Sequence, residues 1–358
     1  MNIAIIPWSD AYCNNRMFDR ENKNLNHDNM MLPFIEMKEF FEDSGFDVNT
    51  IDLYPDLSKV DWFLFFVFSY KWYFILRKEG LLGRIVYCNA EPEVVSIFHS
   101  TKGYAFLKKI FPYILTWNDE AIDNITIFPR NIPYVAKKNF EKNCHCPKKL
   151  LVNISSNNFS FSKKELYGER RRIIRYFRDN NPNEFGLYGG GWSKKQYPVY
   201  LGKCENKFEV YHNYKFALCL ENTKNVNNYV TEKIYDCLCA GIVPIYLGAK
   251  NISEFVPAKC YIDYSQFKSI SELENFLQDM SGTEYEKYIR NIEDFVDSSY
   301  WESLSGKIYA KCIKRVMDIG PKTFTVNFSI ILQLHFWRVK EYLINIALGI
   351  AKRMEKRK

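Results

Sequence analysis

KFALCLENTKNVNNYVTEKIYDCLCAGIVPIYLG, the stretch from Lys215 to Gly248, decides the fold. Phe216 to Leu220 is an apolar run of the length of a buried strand. Glu221 to Asn228 is polar and rich in Asn, which predicts a loop. Thr231 stands where a helix N-cap would, with Glu232 in the first turn; Ile234, Cys237, Leu238 and Ala240 follow at helical spacing. Gly241 closes that helix, and Val243 to Leu247 is a second strand. A strand–helix–strand unit places its loop at the carboxyl edge of a parallel sheet, where open α/β folds bind their ligands. Glu221, Asn222, Tyr229, Thr231, Glu232 and Lys233 gather there. They put an acid, an amide, a phenol and a cation around a helix amino terminus, which itself attracts anions.

The same residues form a pattern. Phe216, Leu218 and Leu220-Glu221-Asn222-Thr223 precede a short loop; Tyr229-Val230-Thr231-Glu232-Lys233-Ile234 and Ala240-Gly241-Ile242-Val243-Pro244-Ile245 follow it. This resembles the signature of the family 10 glycosyltransferases, the alpha-1,3/1,4-fucosyltransferases. The dense match covers about a tenth of the chain, with looser similarity from Glu91 to Val296. The resemblance implies an α/β fold of GT-B type: two facing doubly wound Rossmann-like domains with a C-terminal helical tail. It implies GDP-fucose as donor, with Glu232 on the sugar hydroxyls and Asn222 and Tyr229 on the ribose–diphosphate part. Lys233 and an arginine of an earlier helix would hold the diphosphate.

Working outward, 358 residues suffice for two domains, and 47% hydrophobic with 25% charged residues is ordinary for a globular protein. The net charge of +7 is unevenly placed: from Arg338 to Lys358 there are seven Lys or Arg against two Glu. The body is therefore near neutral, which argues against a nucleic-acid binder. The 10 cysteines show no regular framework, and Cys144-His145-Cys146 has poor spacing for zinc. Met1 to Pro7 reads as a strand rather than a signal peptide. The expectation is a reducing, cytoplasmic location with free thiols.

The first half alternates strands (Asn2 to Trp8, Val48 to Leu53, Trp62 to Phe68, Ile85 to Cys88, Tyr113 to Trp117) with helices, one of them from Met30 to Ser44. This predicts a doubly wound domain over residues 1–145 that binds the acceptor. Glu91 lies just past a strand end, with Pro92 expected to open the next helix. The resemblance makes Glu91 the general base; a helix-start acid complementing the dipole reads equally well, and Glu93 is its nearest rival.

Asn139 to Lys149 reads as a linker, and residues 146–321 as the donor-binding domain. Its first strand, Leu150 to Ile154, runs into Ser155-Ser156-Asn157-Asn158, and the helix Lys164 to Phe177 carries Arg170, Arg171, Arg172 and Arg175. Register against Ile173, Ile174 and Phe177 favours Arg170 as the arginine that the resemblance calls for, with Arg171 next. Gly189-Gly190-Gly191 lets backbone approach a ligand or simply turns the chain. Residues 322–358 form a basic amphipathic tail, read as a helix on a membrane surface or packed on the body.

No D-x-D pair occurs, so the expectation is a metal-independent enzyme with no cofactor, neutralising the departing diphosphate with Lys233 and Arg170. Glu91 would take the acceptor proton while the anomeric centre inverts. The acceptor expected from the resemblance is a cell-surface glycan such as lipopolysaccharide O-antigen, fucosylated in alpha-1,3 linkage on GlcNAc or Glc, or a protein-linked glycan. An enzyme for another nucleotide sugar, or a lapsed sugar-nucleotide-binding protein, stays open as an alternative.

Overall fold

The computed structural model describes residues 1–22, 24–135 and 148–355. Cys144-His145-Cys146, most of the expected linker and the last three residues lie outside them. The chain divides into two units, Met1–Val135 with Glu302–Leu343, and Ala136–Trp301 with Ile344–Lys358.

The first unit is built on a parallel sheet of six strands in the order β2-β1-β3-β4-β5-β6. These are β1 (Asn2–Ile6), β2 (Asp47–Thr50), β3 (Trp62–Phe65), β4 (Ile85–Cys88), β5 (Tyr113–Thr116) and β6 (Ile127–Pro129). Alternate residues go to opposite faces. Ile3, Ile5, Leu64, Val86 and Leu115 enter one apolar cluster; Ala4, Ile6, Phe63, Phe65 and Ile85 enter the other. Burial on both faces is why the inner strands β3, β4 and β5 read as nearly unbroken apolar runs. Helix α1 (Leu32–Asp43) covers the first face with Met37 and Phe41. Helices α2 (Tyr70–Lys78) and α3 (Thr101–Leu107) cover the second with Tyr73, Leu76, Tyr104 and Leu107.

The second unit repeats the plan in the order β12-β11-β10-β7-β8-β9, again all parallel. Its strands are β7 (Lys149–Ile154), β8 (Phe185–Tyr188), β9 (Tyr200–Gly202), β10 (Tyr214–Leu220), β11 (Val243–Leu247) and β12 (Ile262–Asp263). Its helices are α4 (Tyr167–Asn180), α5 (Lys207–Tyr211), α6 (Glu232–Cys239), α7 (Ile270–Asp279) and α8 (Gly282–Val296). The chain steps outward from β7 to β9, then returns to the other side of β7 for β10. The direction of winding therefore reverses between β7 and β10.

The boundaries differ from those expected at the C-terminal side. Glu302–Leu343 joins the first unit, where residues 302–321 were expected in the second and 322–343 in a separate tail. Helix α9 (Gly306–Met317) buries Tyr309, Ala310, Ile313, Val316 and Met317 in the cluster that α1 covers. Helix α10 (Phe328–Glu355) buries Ile331 and Leu334 in the other. An apolar helix face carries no label for the sheet it will cover, so sequence position alone misassigns it. Gly306 makes the α9 contact possible: a Cβ there would stand 2.0 Å from the Pro33 carbonyl oxygen, and its N–H donates to Glu36 Oε2 at 2.9 Å. Gly306→Ala is expected to cost about 1–3 kcal/mol of stability, the scale of an overpacked contact against backbone. A denaturant midpoint unchanged by that substitution would mean that the start of α9 is free to shift.

Candidate functional site

Ligands of open α/β sheets settle beyond the strands' carboxyl ends where the winding reverses. In the second unit that place lies between the loop after β7, Ser155 to Asn158, and the loop after β10, which opens with Glu221. Glu221 is fully buried. Its carboxylate accepts from Thr231 N at 2.8 Å, from Thr231 Oγ1 at 2.8 and 3.0 Å, and from Lys233 Nζ at 3.1 Å. Thr231 is the N-cap of α6, as its place in the sequence predicted, and Lys233 Nζ also reaches its hydroxyl at 2.8 Å. Strand end, cap and cation are thus tied in one knot. A Cβ on Gly248 would stand 2.6 Å from both Glu221 Cγ and Tyr246 Oη, so only glycine fits there.

The rest of the loop is fixed by backbone bonds. Leu166 N donates to Asn222 O at 3.1 Å, Lys224 N to Lys164 O at 2.9 Å, and Asn228 N to Asn251 Oδ1 at 2.9 Å. Asn225 and Asn228 sit at φ of 60° and 62°, left-handed positions that asparagine tolerates better than most residues. The Asn-rich composition is therefore conformational as well as polar.

On this frame Asn222 Nδ2 donates to the buried Tyr229 hydroxyl at 3.2 Å. The Lys233 side chain is 26% exposed, and Glu232, 3.5 Å from its ammonium, is 52% exposed. Desolvation works against both charges. It is outweighed at Lys233 by the Glu221 and Glu232 carboxylates, which raise its pKa, and at Glu232 by Lys233 and Lys207, which hold its carboxyl at about 2. Both groups are ionised at neutral pH, and the open side of the knot offers one cation and one anion to a ligand.

Arg170 is buried on α4, in the register expected. Its Nη2 donates to the carbonyl oxygens of Leu220 at 2.5 Å and Glu221 at 3.2 Å, holding the strand end from below. Arg171 is half-buried; it bonds the Asn158 carbonyl and lies 3.9 Å over the Phe159 ring. Arg172 pairs with Glu169, and Arg175 with Glu355. The Gly-rich turn serves packing: a Cβ on Gly189, at φ +116°, would stand 2.2 Å from the Ser155 carbonyl oxygen. Arg170, Asn222, Tyr229, Glu232 and Lys233 are therefore brought to one sheet edge.

Glu91 belongs to the first unit, at the carboxyl edge of β4, one strand beyond that sheet's own winding reversal at β1 and β3. Its turn is held tightly. Asn89 Oδ1 accepts from Glu91 N and Asn89 Nδ2 donates to Glu91 O, both at 3.0 Å, while Asn89 Nδ2 also reaches Tyr104 Oη at 2.6 Å. Trp117 Nε1 donates to Ala90 O at 2.9 Å. Glu91 itself is exposed and Glu93 half-buried. The helix expected to open at Pro92 is a turn; the next α-helix begins at Thr101, so no helix dipole acts on Glu91. Proline at the head of a polar turn had mimicked a helix start.

Two groups escaped the sequence reading. Glu221 lies in the loop that the sequence predicts, and the signal of its role is an acid at a strand end with a hydroxyl and a cation at the next helix start. Arg130, just after β6, is buried with its guanidinium 4.8 Å over the Tyr309 ring, and its Nε and Nη2 make no hydrogen bond among the described residues. Nothing local in the sequence marks it.

Residues 148–312 match the family model described as Glycosyltransferase family 10 (fucosyltransferase) C-term. An alpha-(1,4)-fucosyltransferase of Arabidopsis thaliana is 49% identical over 65 residues, 18% of this chain and 16% of that one. The alpha-(1,3)-fucosyltransferase FucT of Helicobacter pylori is 32% identical over 109 residues, 29% of this chain and 21% of that one. The chain thus spans about a fifth or less of the length of these relatives. A crystal structure of an alpha1,3-fucosyltransferase with GDP aligns over 91% of this chain and 92% of that one, with a TM-score of 0.54 and 16% identity. T4 phage β-glucosyltransferase aligns over 89% of this chain and 100% of that one, with a TM-score of 0.54 and 15% identity. These likenesses, with two six-stranded parallel sheets, give the fold as GT-B in class.

Proposed function

We propose, for a chain whose residues 148–312 belong to the family 10 glycosyltransferases, that it transfers L-fucose from GDP-fucose to a hydroxyl of a glycan acceptor. The observation that carries this is the knot of Glu221, Thr231 and Lys233, which fixes a cation at a helix start where the winding of the second sheet reverses. A diphosphate gains negative charge as it leaves. Lys233, the amino terminus of α6 and the buried Arg170 beneath supply fixed positive potential for it, with no reorganisation at the moment of reaction. Glu232 accepts from the fucose hydroxyls, and Asn222 and Tyr229 hold the ribose–diphosphate part. Glu91, on its fixed turn, takes the acceptor proton, and the anomeric centre inverts. No metal is required. The acceptor is a cell-surface glycan such as lipopolysaccharide O-antigen, fucosylated in alpha-1,3 linkage in the cytoplasm.

Calorimetric titration with GDP-fucose, GDP-mannose, GDP and UDP, with and without EDTA, tests the reading. Binding of GDP and GDP-fucose that survives EDTA and is absent for UDP supports it. Preference for another nucleotide, or a strict metal requirement, shows the signature reused. Glu91→Ala is expected to lower kcat at least about a hundredfold with GDP affinity unchanged, the scale of a lost general base. Glu93→Ala should do far less, and equal losses would move the base elsewhere.

A further inference from the structure

Arg130 follows directly on β6, at the carboxyl edge of the first sheet, and its backbone N–H donates to Thr116 O at 2.9 Å. Pro129 and Asn131 on either side are exposed, yet Arg130 is only 5% exposed, so its guanidinium lies just beneath the surface. There it covers the Tyr309 ring at 4.8 Å. Among the described residues its Nε and Nη2 make no hydrogen bond, and neither does the buried Tyr309 hydroxyl. The ionisable groups that its charge reaches are Cys88, Tyr104, Tyr309 and Cys312. Burial pushes all four up, so they are neutral at neutral pH and supply no counter-charge.

A buried charge costs free energy unless it is paired. Here two N–H groups on one edge of a guanidinium and a neutral phenol all have a hydrogen to donate. Tyr309 lies in the first turn of α9, whose amino end adds positive potential of its own. The set is complementary to an anion, and the exposed edge of the fork selects which one. Arg172 grips Glu169 through Nε at 3.0 Å and Nη2 at 2.6 Å; Arg178 grips Asp179 through the same two atoms at 2.7 and 2.8 Å. That side of the fork meets both oxygens of a carboxylate in parallel. Arg130 has the same side unpaired among the described residues.

We propose that Arg130 and Tyr309 form a carboxylate subsite, which takes the acid group of a uronic-type sugar in the acceptor, next to the sugar whose hydroxyl is fucosylated. Position supports this source. β6 lies two strands from β4, about 10 Å, so the subsite and the Glu91 turn stand apart by the span from a reacting hydroxyl to a carboxylate on the adjoining sugar. The assignment to the acceptor rests on the fucosyltransferase reading, with Glu91 as base; the carboxylate site itself does not.

Calorimetric titration of the full chain with methyl glucuronide, methyl glucoside and acetate, without any donor, tests the site. The two glycosides differ only in a carboxylate against a hydroxymethyl group. The glucuronide is expected to bind at least about tenfold more tightly than either of the others. Arg130→Gln should abolish that advantage, and Tyr309→Phe, which keeps the ring, should reduce it several-fold. Arg130→Met should not lower the denaturant midpoint, since it removes a buried charge without a counter-ion. In transfer from GDP-fucose, a disaccharide acceptor with a uronic acid beside the reacting sugar should show a KM about tenfold below that of its hexose counterpart, with kcat alike, and Arg130→Gln should equalise the two KM values. Equal binding of the two glycosides overturns the proposal, as does an advantage that survives Arg130→Gln. Acetate bound as tightly as the glucuronide overturns it too, because the ligand is then a free small acid. A chain that binds the glucuronide through Arg130 but transfers to neither acceptor sinks the fucosyltransferase reading and upholds the carboxylate site.

Discussion

Glu221→Ala is expected to lower the free energy of unfolding by about 3 kcal/mol or more and to abolish nucleotide binding, the largest effect of any single change in the second unit. The carboxylate is the one acceptor shared by Thr231 N, Thr231 Oγ1 and Lys233 Nζ. Its removal leaves a buried N–H and hydroxyl with no acceptor, and beside them a cation with no buried counter-charge. The cap of α6 and the end of β10 then separate, and Asn222, Tyr229 and Glu232 lose their common frame. Glu221→Gln keeps the volume but not the charge, and should fall between wild type and alanine. Guanidinium denaturation and GDP calorimetry on the same samples check both parts. A Glu221→Ala protein of wild-type stability and GDP affinity would show that the knot holds nothing.

Lys233→Met is expected to lower kcat/KM for GDP-fucose at least about a hundredfold, the scale of losing one preorganised contact to developing charge. GDP affinity should fall with it, since the lost partner is the diphosphate. Glu232→Ala should cost a similar factor by a different route. It removes a contact to the sugar, so GDP should bind as before while the advantage of GDP-fucose over GDP-mannose shrinks. Equal GDP affinity in both variants would contradict these assignments. The pH dependence separates Glu232 from the base. Its carboxyl is depressed from 4.5 to about 2, so its charge, and the stability it contributes, is fully present above pH 4.5 and lost only as pH falls through about 2. A fall in activity on acidification between pH 7 and 5 therefore belongs to another group.

The doubly wound plan was legible because parallel strands buried on both faces leave unbroken apolar runs. Ile85–Cys88 and Val243–Leu247 have the bounds read from the sequence. Thr231 was legible as a cap because capping is local chemistry. Arg170 was legible as an inward residue from its register with Ile173 and Phe177, yet its bonds to the Leu220 and Glu221 carbonyls were not, because they join positions fifty residues apart. Glu221 was hidden for a related reason. A polar residue in a polar loop gives no sign that folding will bury it completely. The expected helix at Pro92 failed where proline's fixed φ serves a turn as well as a helix start.

The placement of α9 has a consequence for how the protein is made. One apolar face of the first sheet, lined by Ile3, Ile5, Leu64 and Val86, shares its cluster with Tyr309, Ile313 and Val316. Those residues leave the ribosome only after the whole of Ala136–Trp301. At about 5–20 residues per second, the N-terminal sheet waits roughly 10 to 40 seconds for its missing helix. The second unit's sheet and its helices α4 to α8 come from one uninterrupted stretch and can assemble in that interval. The first unit therefore completes its fold after the second, and a nascent chain stalled before residue 302 carries a sheet face that α1 alone covers.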